Sequence, residues 1–230
     1  MVAVSAHPLD NPVWHSLTGP RAALGTVAGR AARFDPDVSP FAAVAANDAP
    51  AWADLAALVG AGGTTCLFAP GIDVPDGWET RAVVPCGQLV ADRLVTDGES
   101  EGLVALGPED VPDMLELVAA TKPGPFADRT IHFGGYVGLR DADGRLVAMA
   151  GERLATGDFT EVSAVCTAAD QQGRGLGTRM VKAVVERIRQ RGEEAFLHVA
   201  DTNVNAYRLY LALGFTERCK SPATIVRVPS

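Results

Sequence analysis

The stretch that most constrains this chain runs from Thr160 to Gln190, TEVSAVCTAADQQGRGLGTRMVKAVVERIRQ. A β-branched run, Val162 to Thr167, gives way to a polar turn, Ala168 to Gln172, and then to Gly173-Arg174-Gly175-Leu176-Gly177. Behind the glycines, Leu176, Met180, Val181, Val184, Val185 and Ile188 recur at helical spacing. The pattern predicts a strand, a glycine-rich turn and an amphipathic helix. The first N–H groups of a helix have no partner inside it, and the helix dipole puts partial positive charge at that end. Glycines let the backbone take positive φ and come close to a ligand. Such a junction is a ready site for phosphate or pyrophosphate. Arg174 adds a mobile positive charge at the same place.

Three phosphate-binding patterns can be set against it. A P-loop needs Lys before Ser/Thr, and no Lys precedes Thr178. A dinucleotide fingerprint needs G-x-G-x-x-G, and Thr178 stands where the third glycine belongs. The third pattern fits. Gln172-Gly173-Arg174-Gly175-Leu176-Gly177 matches Q/R-x-x-G-x-G/A and resembles the acyl-CoA loop of the GNAT acetyltransferases. A second strand, Ala195 to Ala200, and a second motif follow. Asn203, Ala206, Leu209, Tyr210, Gly214 and Phe215 reproduce N-x-x-A-x-x-L-Y-x-x-x-G-F, the second signature of that family. Two independent motifs in the right order carry the resemblance, which covers about residues 102–230. Met149 to Arg153 with Glu161 to Thr167 is similar to the glycine N-acyltransferase-like branch.

The resemblance implies an α/β (α+β) GNAT fold, a mixed and mostly antiparallel sheet flanked by helices. The polar turn from Asp97 to Gly102 is read as a boundary. Residues 101–230 then form the GNAT N-acetyltransferase domain, and residues 1–100 an N-terminal α/β region. In the resembling branch that region can be a degenerate second copy of the fold, although no CoA loop is visible in it. A helix is predicted from Asn11 to about Leu24, a loop over Phe34 to Pro40 and a helix over Pro50 to Val59. Strands are predicted over Thr64 to Phe68, Thr80 to Val84 and Gln88 to Val95. In the second half, strands are predicted over Leu103 to Leu106, Tyr136 to Arg140, Arg145 to Leu154 and Thr224 to Val228. A helix opens at Gly107-Pro108-Glu109-Asp110.

Composition narrows the classes. The chain has 230 residues, is 47% hydrophobic and carries a net charge of −8. It can build a large core, and its charge argues against non-specific binding to nucleic acid or an anionic membrane. No run approaches the roughly 18 apolar residues of a spanning helix, and the N-terminus lacks the pattern of a signal peptide. Cys66, Cys86, Cys166 and Cys219 have no metal or redox spacing, which suggests a reducing cytoplasm and no metal.

The expected chemistry is acyl transfer from acetyl-CoA, or another acyl-CoA, to an amine by direct attack in a ternary complex. Gln172, Gly173, Arg174, Gly175, Leu176, Gly177 and Thr178 hold the pyrophosphate by resemblance. Val165, Cys166 and Thr167 pair with the pantetheine arm, the backbone N–H near Val165 serves the oxyanion, and Asn203 binds CoA or caps a helix. Tyr210 is the expected acid for the CoA thiolate; its plainer reading is a packed aromatic. Glu161 is the expected base, its pKa raised by apolar burial toward the working range. Its plainer readings are a solvated strand-start residue or an amine-binding group. Glu152 is the rival base, with His132 and His198 as outsiders. Cys166 is read as an inert core thiol. The competing functions are a non-catalytic acyl-CoA-binding or regulatory module and a nucleotide-binding domain. The acceptor is not readable and the oligomeric state is open, a homodimer being one option.

Overall fold

The computed structural model describes residues 7–96, 98 and 101–230. Asp97, Glu99 and Ser100 of the predicted boundary, and residues 1–6 of the terminus read against a signal peptide, lie outside the described residues. In chain order the elements are α1 (Pro12–Leu17), β1 (Gly25–Ala28), β2 (Ala31–Phe34), β3 (Phe41–Val44), α2 (Ala49–Val59), β4 (Thr64–Phe68), β5 (Glu79–Val84) and β6 (Cys86–Val90). There follow β7 (Val104–Ala105), α3 (Val111–Thr121), β8 (Val137–Arg140), β9 (Leu146–Ala155), β10 (Phe159–Thr167), α4 (Leu176–Gln190), β11 (Glu194–Ala200), α5 (Val204–Leu213), β12 (Thr216–Lys220) and β13 (Ala223–Arg227).

The strands form two sheets, β1-β2-β3-β4-β13-β5 and β12-β6-β11-β10-β9-β8-β7. Three antiparallel strands lead in the first sheet, β1-β2-β3, and four in the second, β7-β8-β9-β10; then comes one parallel pair made through a helical crossover, β3/β4 through α2 in the first and β10/β11 through α4 in the second. Next comes an inserted antiparallel strand, and then a last strand. The inserted strands are exchanged. β6, from before residue 100, lies between β11 and β12, while β13, from the end of the chain, lies between β4 and β5. From β8 onward the second sheet therefore repeats the strand order and direction of the first, with β7 added at its edge, and each sheet is completed by the other half of the sequence.

The helices follow from their sequences. In α4 Met180, Val181, Val184, Val185 and Ile188 are all buried, against Val162, Leu197 and Val199 of the second sheet. Asp48 caps α2 by accepting from the Ala51 N–H, and Trp52 and Leu55 pack on the first sheet. A larger cluster joins Phe34, Phe41 and Phe68 of the first sheet to Met149, Cys166 and Phe196 of the second, with α1 and α3 contributing Leu17 and Met114. The first helix is shorter than its pattern predicts. It stops at Leu17, because Gly19 and Pro20 follow and a proline removes a helix donor. A single 3-10 turn, Ala22–Leu24, resumes beyond them. β6 ends at Val90, where the chain turns through Ala91 to Leu94, short of the predicted Val95. Among the described residues no helix is long and apolar enough to cross a membrane, and no group of His, Cys, Asp and Glu could hold a metal ion.

Candidate functional site

The site begins with a strand pair that comes apart. β10 and β11 pair in parallel at Phe159/Glu194, Thr160/Ala195 and Glu161/Phe196. Past that point β11 stays paired with β6 as far as Ala200/Cys86, and β10 with β9 as far as Thr167/Ala148. Among the described residues the facing edges of β10 and β11 therefore have no ladder partner along the second half of both strands. Backbone N–H and C=O groups at such an edge suit an extended amide chain that adds itself as a strand.

A bulge lies where the strands part. Between Ser163/Gly151 and Cys166/Met149, β10 uses one residue more than β9, and Ala164 takes φ of 53°. A bulge of this kind re-aims the backbone of its neighbours. Ser163, Ala164 and Val165 are half-buried here, whereas Thr160 to Val162 before them are buried. Val165 and Thr167 thus line the parted edge, and the Cys166 side chain turns into the core, where its thiol donates to the Ala164 carbonyl at 3.2 Å. Burial pushes that thiol up to about 12, the inert behaviour its sequence position suggests.

The predicted glycine loop follows directly. Gln172, Gly173, Arg174 and Gly175 are exposed. Gly173 and Gly175 both take φ of 75°, the left-handed region, and a Cβ on either would meet nothing within 4 Å. Backbone conformation, not crowding, requires glycine there. Gly175 is the N-cap of α4 and supplies no side-chain cap, so the first N–H groups at Leu176, Gly177 and Thr178 are left for a ligand. Gly177 lies near Thr167 and Leu209, which ties the loop to the parted strand and to α5. The corresponding junction of the first sheet is closed to anions. There Asp48 occupies the N-terminus of α2 with its own carboxylate and pairs with Arg30 at 2.8 Å, while Asn47 accepts from the Trp52 indole.

α5 brings up the second motif. Asn203 caps it by accepting from the Ala206 N–H at 3.2 Å. Tyr210 is buried on its inner face, edge-on to Phe215 at 5.7 Å. Burial, with a smaller push from the Cys166 thiol, raises its phenol to about 12. It therefore keeps its proton at neutral pH, and its hydroxyl has no hydrogen-bond partner among the described residues.

Glu161 requires a correction. Apolar burial was expected to lift its pKa toward neutrality. Its carboxylate is fully buried, and that burial does push the pKa upward, but the surroundings outweigh it. Arg153 donates through Nε and Nη2 to its two oxygens, both at 2.7 Å, and His198 Nδ1 lies 2.7 Å from Oε1. The net pKa falls well below the ordinary carboxylate range. A carboxylate held in this way is a poor acceptor for an amine proton. The rival Glu152 is buried between Arg21 at 3.3 Å and Arg191 at 2.9 Å, and His132 is exposed on a 3-10 turn.

The Glu161 pair belongs to a buried chain that residue-by-residue reading missed. His198 Nε2 lies 3.2 Å from Gln88 Nε2, which also donates to the Leu9 carbonyl, and Arg218 donates to Gln88 Oε1 at 2.9 Å. Because the Gln88 amide N–H points at Nε2, the ring proton belongs on Nδ1, facing Glu161. Arg153 also lies over the Phe41 ring at 5.0 Å, so the chain links both sheets. The signal was present in the sequence. Arg153, Glu161, His198 and Gln88 are polar residues inside otherwise apolar strands, and such residues demand partners.

The splayed strand pair, the bulge and the glycine-led helix define the class of protein: an acetyltransferase fold with its cleft between β10 and β11. The comparisons agree. The family described as FR47-like protein matches residues 136–223. A putative acetyltransferase of the GNAT family from Novosphingobium aromaticivorans is 42% identical, with 97% of this chain and 99% of that one covered, at a TM-score of 0.87. The chain belongs to the GNAT acetyltransferase family. A GCN5-related N-acetyltransferase from Kribbella flavida shares the fold at 19% identity and a TM-score of 0.63, over 100% of this chain and 97% of that one. A mycothiol acetyltransferase of Thermomonospora curvata is 32% identical over 148 residues, which are 64% of this chain and 47% of that protein. The chain thus spans about half the length of that curated relative.

Proposed function

We propose that the protein transfers an acetyl group from acetyl-CoA to an amine, by direct attack within a ternary complex. The observation that carries the reading is the parted β10/β11 edge ending at an uncapped helix N-terminus behind two left-handed glycines. Gln172 to Thr178 take the pyrophosphate, and the edges of Val165 to Thr167 take the amides of the pantetheine arm. The thioester carbonyl then lies at the bulge. The amine nitrogen attacks it, and the N–H of Val165 steadies the oxyanion that forms. Collapse breaks the C–S bond, and Tyr210 gives its proton to the departing thiolate. The proton shed by the amine goes to solvent. Glu161 acts as the anchor that holds β10 against β9 and β11, not as the proton acceptor. Asn203 sets the start of α5 and hence the depth of Tyr210.

The acetyl group is supported by family membership and by the name of the Thermomonospora curvata relative; that relative's acceptor is not carried over. Residues 1–100 are proposed to be a degenerate copy of the domain at 101–230, in keeping with the glycine N-acyltransferase-like branch. The repeated strand order and the carboxylate-filled helix start at Asp48 support this.

Steady-state release of free thiol from acetyl-CoA across a panel of amines tests the reading. Tyr210→Phe is expected to lower kcat by about 100-fold or more while leaving acetyl-CoA affinity unchanged. Unchanged turnover in that variant would remove Tyr210 from the mechanism. Binding of acetyl-CoA with no turnover of any amine would favour a binding module instead.

A further inference from the structure

Arg33 stands out on the first sheet, outside the acyl cleft. It lies on β2, and its Nε is inaccessible to solvent and has no hydrogen-bond partner. No ion pair or hydrogen bond to any part of its guanidinium is found among the described residues. Buried donors of a cationic group are almost always satisfied, so an orphan here calls for a partner. Arg33 lines a cavity of about 300 Å³ together with Gly25, Thr26, Asp35, Leu58 and Arg129.

The charges around this cavity are unbalanced. Its lining carries two guanidinium groups and one carboxylate. Arg129 Nη1 is bonded to Asp35 Oδ2 at 2.5 Å, and no partner for its other guanidinium nitrogens is found among the described residues. Asp35 is fixed from the other side by the Asp37 N–H, which with Arg129 and, more weakly, the charge of Arg33 holds its pKa below the ordinary value and keeps it ionised. Asp35 cannot turn to Arg33 without giving up those bonds. The lining therefore carries a net positive charge, one carboxylate facing two guanidinium groups, in a chain of net charge −8. A guanidinium offers a planar fork that matches a carboxylate or a phosphate face, and the hydroxyl-bearing Thr26 on the rim can donate as well.

We infer that this cavity is a binding site for a small oxyanion, the carboxylate or phosphate group of a small molecule, with Arg33 as the principal contact and Arg129 as the second. The site shares no residue with the Val165–Thr178 segment, and its existence does not depend on the acyl-transfer reading. Arg129 precedes the 3-10 turn Thr130–Phe133, which packs Phe133 on Phe34 at 5.2 Å. The Arg129 N–H donates to the Asp37 carbonyl, so occupancy of the site would brace that loop against the first sheet.

The test reads Arg33 itself. In ¹H–¹⁵N spectra of the arginine Nε–Hε groups, the whole protein is titrated with sodium phosphate and, separately, with sodium acetate, at constant ionic strength and without CoA. The Arg33 signal is assigned by its loss in Arg33→Lys, or in Arg33→Gln should the first variant fold poorly. A saturable shift of the Arg33 signal is expected, and the probe that saturates at the lower concentration identifies the ligand class. Arg81, exposed and paired among the described residues with Glu79 alone, is expected to show no saturation. Phosphate captured by the glycine loop would move Arg174 instead, so failure of one site is distinguishable from failure of the other. An Arg33 signal that neither probe moves, or that moves linearly like that of Arg81, would overturn the inference.

Discussion

Replacing Glu161 with Gln isolates the fully buried carboxylate that Arg153 and His198 share. The substitution preserves shape and removes one negative charge. Arg153 loses the carboxylate that accepts both of its N–H groups at 2.7 Å, and remains a guanidinium with only 8% of its surface exposed. His198 loses the anion facing Nδ1. Breaking a buried pair from one side costs about 3–5 kcal/mol, because the other charge stays buried without compensation. For a chain of this size even 3 kcal/mol corresponds to a drop in Tm of about 6–12 °C. The pH dependence carries the same signature. The folded pKa of Glu161 lies below its ordinary value of 4.5, so its contribution is complete above that value and fades as pH falls below it. Urea unfolding of wild type and Glu161→Gln should therefore differ most at neutral pH and converge progressively below about pH 4.5. The double variant Arg153→Met/Glu161→Leu should regain part of the loss, since it removes the stranded Arg153 charge, while the buried His198 Nδ1 still lacks its partner. Equal stability of wild type and Glu161→Gln at pH 7, or a gap that does not narrow on acidification, would refute this reasoning.

Two further outcomes follow from the backbone. Gly175→Ala should cost about 1–2 kcal/mol by chemical denaturation, the price of φ at 75° for a residue with a Cβ, and no more, because that Cβ meets nothing within 4 Å. A larger loss would mean that the loop packs more tightly than the structure shows. A fragment of residues 101–230 should fail to give a cooperative unfolding transition, because β6 is absent and β11 and β12 lose the strand between them. A well-folded fragment by circular dichroism and calorimetry would show that the exchanged strand is dispensable.

The second half was largely legible because its signals are local. The α4 stripe, the glycines that need positive φ and the Asn203 cap are each written within a few residues of where they act. The first half was not. β2 and β3 read Ala-Ala-Arg-Phe and Phe-Ala-Ala-Val, four residues each and buried along most of their length, so neither alternates enough to announce a strand. Phe34, expected in a loop, closes β2. β6 and β13 were visible as strands at Gln88 and Thr224, but pairing partners more than 100 residues away leave no local trace. Glu161 was found and its environment misjudged. A residue at 0% exposure reads as desolvated until Arg153, His198 and Gln88 are seen to converge on it.

Calorimetric titration with acetyl-CoA, using NAD and ATP as controls, tests the central claim most directly. A Cβ on Gly175 would enter open space at the uncapped start of α4, so a bulkier side chain there occupies the volume assigned to the pyrophosphate. The account predicts saturable binding of acetyl-CoA alone by the wild-type protein, and its loss in a folded Gly175→Val variant. No binding of acetyl-CoA by the wild type, or undiminished binding in Gly175→Val, would contradict it.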